Sequence, residues 1–196
     1  DRGAVGTLMV LSMMRKAHDQ SEVVDAASQS RLLDIIESHD DAYSAEELNI
    51  LASGLSRFSL FTAQTAKELK MSSKSTEAKV AFENHDSYAW GWATTTLRVK
   101  PEEALAYALD YLKRSDRAPD VLETSMKVVN DHNRELYVRY QAPLIRQREF
   151  LNRQIWRKEV DGSYSVVATP MDSVDHPLLP HVVRGRFPLA MKLRPE

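Results

Sequence analysis

The side chains with the most chemical capacity are few and dispersed. Asp172, Asp175, His176 and His181 lie in one stretch and are all of metal-ligand type. No His-Glu-x-x-His spacing sets a pair of them on one helical face, however, and Pro177 and Pro180 mark the stretch as an ordered crossover. Neither a metal nor any other cofactor is expected. No Gly-x-Ser-x-Gly elbow presents a nucleophile, and no Walker loop or Gly-x-Gly-x-x-Gly turn awaits a phosphate. What remains is a set of polar groups among apolar ones. Phe150, Asn152, Gln154 and Trp156 alternate with Leu151, Arg153, Ile155 and Arg157, so in a strand the first four share one face. Two amides between large aromatics are unusual on a face that only packs. They suit a wall touching something mostly apolar with a polar end.

The elements that would position these residues are legible from turn chemistry. Asp161-Gly162 separates two arms rich in aliphatic, β-branched and aromatic residues, and Asp-Gly supplies the positive φ angles of a type I′ hairpin turn. Ser163–Thr169 is therefore expected to pair antiparallel with Phe150–Val160. Leu122–Val129 and Arg134–Gln141 read as a second strand pair around the turn cluster 130–133. Ala78–Glu83 and Ser87–Val99 read as a third, with Tyr88, Trp90 and Trp92 on one face. That aromatic row serves a core as readily as a ligand wall. Val182–Leu193 reads as a last strand, interrupted at Pro188.

Helices are expected over Gly3–His18, Glu22–His39 and from Pro101, where a proline at the first helical position costs nothing. Ser44-Ala45-Glu46-Glu47 is a capping box. The helix it opens carries Leu48, Leu51, Leu55, Phe58 and Leu69 at helical spacing and should reach about Lys70. The apolar run Gly3–Met14 is too short for a bilayer span of about 20 residues. Strands in sequence, with helices before and between them, indicate an antiparallel α+β domain.

A family resemblance is carried by several short stretches in order. Arg148-Glu149-Phe150, Trp156 with basic neighbours, the Asp-Gly turn and Val166-Val167-Ala168-Thr169-Pro170 look like the START lipid-transfer family. Ala89-Trp90-Gly91 and Pro101-Glu102-Glu103-Ala104-Leu105-Ala106-Tyr107 resemble its "WG … SPEEVLAYL" pattern. Val183-Arg184-Gly185 resembles its "VRA/VRG" strand. The resemblance covers roughly Tyr43 to Glu196 and implies a helix-grip fold, a curved antiparallel sheet with packed helices. Residues 1–42 would be a short helical segment before a lipid-binding domain of residues 43–196. The family continues past its "VRG" strand with further strands and a long C-terminal helix that roofs the cavity. Because this sequence stops at Glu196, a C-terminally truncated domain is expected, binding lipid poorly without that roof.

The resemblance also implies a lipid-contacting set of Trp90, Glu135, Tyr137, Phe150, Asn152 and Gln154. Some relatives hold a carboxylate and a facing polar residue on neighbouring strands, and a gap-free count from Arg148-Glu149-Phe150 puts Glu135 and Gln154 there. Strand alternation alone fits equally a Glu135 that points to solvent beside the turn. The implied activity is non-catalytic binding of a lipid or sterol, with carriage or sensing left open. The rival is an enzyme on a related scaffold, a cyclase or hydrolase acting on a bulky hydrophobic substrate, for which Glu135 is the one candidate carboxylate.

Composition narrows the partners. The 196 residues are 43% hydrophobic with a net charge of −2, enough for a sizeable core and unlike a dedicated nucleic-acid binder. There are no cysteines, which excludes thiolate chemistry and disulfides and is compatible with a reducing compartment. A cytoplasmic location, peripheral to membranes, is the expectation, with further domains of a larger parent protein. Arg146, Arg148, Arg153, Arg157 and Lys158 form the densest basic run. On an edge hairpin such a run is ordinarily solvated; its sharper use is transient contact with anionic lipid headgroups.

Overall fold

Among the described residues come, in chain order, two helices, three strands, a third helix and six strands. The structure is a computed structural model that describes residues 26–40, 42–62, 67–70, 76–82, 89–110, 120–141 and 146–195. The elements are α1 (Ala26–Ser38), α2 (Ala45–Thr62), β1 (Lys67–Leu69), β2 (Thr76–Phe82), β3 (Ala89–Thr95) and α3 (Pro101–Leu109). They continue with β4 (Val121–Asn130), β5 (Asn133–Tyr140), β6 (Arg148–Lys158), β7 (Tyr164–Pro170), β8 (Val183–Gly185) and β9 (Leu189–Leu193). The helix expected over Gly3–His18 lies outside the described residues.

The described chain falls into two units. In one, Arg57–Arg98, strands β1, β2 and β3 form an antiparallel sheet in that order. The expected helix to Lys70 is corrected here. It stops at Thr62, and Lys67–Leu69 pairs with Ala78–Val80 instead. Lys, Glu and Leu all favour a helix, but propensity over three residues is a small energy that ladder bonds to a neighbouring strand outweigh.

The other unit, Asp25–Ser56 with Val99–Glu196, holds the larger sheet, ordered β4-β5-β6-β7-β9 with β8 beside β6. All its pairs are antiparallel except β6 with β8. The expected hairpin is present, with Asn152 opposite Pro170 and Lys158 opposite Tyr164. Its turn differs from type I′. Only Gly162 has positive φ, at 77°; Gly162 N–H donates to Glu159 O, and Glu159 N–H to Ser163 O. That is a three-residue loop with glycine in the left-handed position. The Asp161 carboxylate accepts from Ser163 N–H and Oγ–H, an Asx turn that satisfies the loop with Asp161 at negative φ.

Each face of this sheet is packed by different helices. On one face, here the front, Trp156, Tyr164 and Val166 are buried against Ile36 of α1 and Leu105, Ala106 and Leu109 of α3. On the back, Leu51 of α2 meets Ile155 and Val167. Gly54 lets α2 approach this closely, since a Cβ there would run into both methyls of Val167. Gly54→Ala should therefore lower stability by about 1–3 kcal/mol, the usual cost of overpacking, although alanine favours a helix. A raised thermal midpoint would contradict this packing.

The expected capping box forms and does more than cap. Glu47 Oε2 accepts from Ser44 N–H and Oγ–H, and Ser44 Oγ accepts from Glu47 N–H. Glu47 Oε1 accepts from Asn130 and Asn133 of the β4–β5 turn at 3.0 and 2.7 Å. Burial alone would raise this carboxyl. The bonds from Ser44, Asn133 and Asn130 more than reverse that and hold Glu47 well below the usual carboxylate range. A depressed folded pKa contributes stability that is complete above the unfolded value of about 4.3. That contribution is lost as pH falls below it, at up to about 1.4 kcal/mol per pH unit. Glu47→Gln should flatten the acid limb of the stability–pH curve in urea titrations. An unchanged limb would mean that other carboxylates set it.

Candidate functional site

The register of β5 against β6 decides which side chains meet. Arg134 lies opposite Gln154, Leu136 opposite Asn152 and Val138 opposite Phe150, while Glu135 is opposite Arg153 and Tyr137 opposite Leu151. Directly opposed residues point to the same side of a sheet. Phe150, Asn152 and Gln154 therefore share the front face with Trp156 and Arg134. Glu135 and Tyr137 are on the back. The facing pair of Glu135 and Gln154 is thus not formed; Arg134 stands opposite Gln154 instead.

On the back, Glu135 lies 3.7 Å from Lys127 Nζ. Tyr137 is 3% exposed; its hydroxyl donates to Glu149 Oε2 at 3.0 Å and its ring stacks on His176 at 4.3 Å. Burial, then the bond to Glu149, pushes the Tyr137 phenol up to about 12. Arg184 donates to Glu149 Oε1 at 2.8 Å and to the His176 carbonyl at 2.7 Å, straddling the crossover 171–181. The candidate metal ligands are dispersed by the same contacts. Asp172 faces Arg184 and Arg186, Asp175 faces Lys127, and His176 lies on Tyr137.

The front face is apolar with polar interruptions. Met126 and Val128 of β4 are 47% and 65% exposed, opposite Leu136 and Arg134. Phe150 packs edge-on to Tyr140 and Phe187. Gln154 is 7% exposed and its Oε1 has no hydrogen-bond partner; Asn152 Oδ1 has none either. Buried amide oxygens without donors are costly, about 1–3 kcal/mol each, and are the exception in folded proteins. Trp156 closes one end of this face as core rather than ligand wall, its indole N–H donating to Asp131 O at 3.2 Å.

Beside Arg134 the front face dips into an open cavity of about 260 Å³ beneath α1. Leu32, Ile35, Leu109, Met126 and Val128 supply its apolar wall, and Ser28, Arg31, Asp110, Asn130, Asp131 and Arg134 its polar one. Arg134 is 7% exposed and donates to Leu109 O at 3.0 Å. Burial lowers its guanidinium to about 10, with Asp110 acting in the opposite sense. The sequence reading missed Arg134, Asp110 and the contribution of α1. The missed signal was a lone arginine at an even position of a strand whose even partners are Leu136 and Val138.

Trp90 is in β3, its backbone opposite Ala81, and its side chain lies outside the described residues. Trp92 holds Lys79 over its ring at 5.5 Å. The basic run is split between faces. Arg153 pairs with Glu46 and Arg157 with Glu159 on the back, while Lys158 sits over Tyr164 on the front.

Comparison with protein families and with curated proteins finds no match. Solved structures do match. The STAR-related lipid transfer protein of Xanthomonas axonopodis has a TM-score of 0.58 at 17% identity, over 67% of this chain and 74% of that one. Human StAR-related lipid transfer protein 5 scores 0.60 at 14% identity, over 79% and 77%. The lipid transfer and protein localization domain of human StarD13 scores 0.50 at 13% identity, over 66% and 69%. This chain has the START helix-grip fold.

At these identities the likeness is one of fold.

Proposed function

We propose that this chain binds one lipid, non-covalently, against the front face of the larger sheet. The main support is that face itself: half-exposed Met126 and Val128 beside Phe150, interrupted by the unpartnered amide oxygens of Asn152 and Gln154. Apolar chains would be driven there by burial, at about 25 cal/mol per Å². A hydroxyl or amine at the lipid's polar end would satisfy the amides. Phe150, Asn152 and Gln154 are the contact residues in this reading. Trp90 is retained by resemblance, and Glu135 and Tyr137 serve the back face. Residues 43–196 form the lipid-binding domain and residues 1–42 its preceding helical segment, whose α1 lies on the front face. Catalysis is not part of this function, since Glu135, the carboxylate the enzymatic rival needed, is on the other face beside Lys127.

No helix among the described residues is long and apolar enough to cross a membrane. By its resemblance to START domains we propose a cytoplasmic protein that meets membranes transiently through exposed Arg146 and Lys158. Incubating the purified chain with vesicles of mixed phospholipid and sterol, followed by native mass spectrometry, tests the function. One lipid on each occupied chain is expected, at partial occupancy in keeping with the weak binding expected of residues 1–196; recovery of bare protein at every vesicle composition would overturn it. Gln154→Leu refines the test. A lipid whose polar end uses that amide should lose about 1 kcal/mol, roughly fivefold in affinity, while one held by its chains alone should bind unchanged. An equal loss for all lipids at unaltered melting temperature would remove Gln154 from the site.

A further inference from the structure

The cavity beneath α1 is built differently from the apolar face it opens from. Its volume of about 260 Å³ falls just below the roughly 300–1,000 Å³ of pockets that enclose a drug-sized ligand. It can take the end of a lipid but not the whole molecule. Its charges balance, with Arg31 and Arg134 against Asp110 and Asp131. Two of the four are taken out of water: Arg134 is 7% exposed and Asp110 8%.

Asp110 also breaks a local rule. It is the C-cap of α3, where the helix dipole disfavours a carboxylate and a lysine or arginine is the usual choice. Among the described residues Ser28 Oγ–H of α1 reaches toward it, at 3.4 Å from Oδ1, and the Arg134 guanidinium is its electrostatic neighbour. Residues that violate local preference while buried concentrate at functional sites. Among the described residues the polar lining of the cavity is carboxylate, hydroxyl, amide and guanidinium, whereas the usual host of a quaternary ammonium is a set of aromatic ring faces. Carboxylates and a hydroxyl instead favour an ammonium with N–H groups to donate.

We propose that this cavity is a headgroup subsite for a phospholipid bearing a primary ammonium, of the phosphatidylethanolamine class. Arg134 and Arg31 face the phosphodiester, and Asp110 and Asp131 accept from the ammonium. The acyl chains run out over Met126 and Val128 toward Phe150. Helix α1 then forms one wall of the ligand site. The subsite rests on the lipid-binding reading and adds the headgroup to it.

The test uses the whole chain and vesicles of phosphatidylglycerol and phosphatidylcholine doped with one acyl-labelled lipid: phosphatidylethanolamine, phosphatidylcholine or a sterol. Extraction of the ethanolamine lipid should exceed that of the choline lipid by about tenfold, the worth of a charge-assisted hydrogen bond. Asp110→Asn should bring the ratio close to one. Arg31→Gln, at an exposed rim position, should weaken both phospholipids several-fold and leave the sterol unchanged. Wild-type protein that does not discriminate, Asp110→Asn that still does, or a sterol that falls with Arg31→Gln would each overturn the subsite. Extraction of sterol without either phospholipid overturns it while leaving lipid binding intact; extraction of nothing overturns both. Glycerophosphoethanolamine separates the soluble source from the lipid. It should leave the melting temperature unchanged, and a rise with no lipid extracted would overturn the lipid form.

Discussion

Replacing Arg184 with methionine is expected to cost about 3–5 kcal/mol of stability, the range for removing one partner of a buried ion pair. Glu149 is fully buried and its two oxygens are divided between Arg184 and the Tyr137 hydroxyl. Without the guanidinium, a carboxylate with no access to water keeps one phenol as its partner. The same substitution frees the His176 carbonyl, which accepts from Arg184 at 2.7 Å, so the crossover 171–181 loses its tie to β8. Urea denaturation at neutral pH measures the loss. The triple variant Tyr137→Phe, Glu149→Leu, Arg184→Met should recover part of it, because it removes the buried charge together with the phenol that would lose its acceptor. A single variant that loses less than about 1 kcal/mol would mean the pair is solvated and contributes as surface pairs do.

This network also shows where the sequence could and could not be read. Val183-Arg184-Gly185 was legible as part of a last strand, Val182–Leu193, and by its resemblance to the START "VRG" strand, and Glu149 through the Arg148-Glu149-Phe150 run of the same resemblance. That the two strands run parallel, with Glu149 opposite Arg184, depends on the path of the connection 171–182 between β7 and β8, which no local preference specifies. The same limit governs Glu135. Period-2 alternation says which residues of one strand share a face, but not which face of the neighbouring strand joins them. Tyr140 pairs with Arg148, which joins Arg134 to Gln154 and sends Glu135 to the back; a one-residue change would have done the reverse. The apolar helical stripes were legible because burial demands them. Arg134 and Asp110 were not, because their partners are brought together only by tertiary packing.

Trp156→Ala is expected to have an effect of comparable size by a different route. The ring is fully buried, and a buried Trp→Ala change costs about 3–5 kcal/mol through lost contacts and the cavity left behind. Three tethers converge on this residue. Its indole N–H donates to Asp131 O, its carbonyl accepts from the Tyr43 hydroxyl at 3.2 Å, and its ring lies 4.7 Å from that of His39. His39 and Tyr43 belong to the connection between α1 and α2, and Ile36 of α1 packs in the same cluster. The consequence should therefore be uneven. Amide hydrogen exchange over residues 27–38 should accelerate well beyond that over residues 121–140, because Trp156 is the largest side chain of the cluster into which α1 sends Ile36, with Leu32, Leu33 and Ile35 packed around it. Trp156→Phe keeps the apolar contact but loses the indole bond, and should cost only about 1–2 kcal/mol. Should Trp156→Ala accelerate exchange equally in α1 and in the β4–β5 hairpin, α1 is seated by other contacts and does not owe its position over the cavity to Trp156.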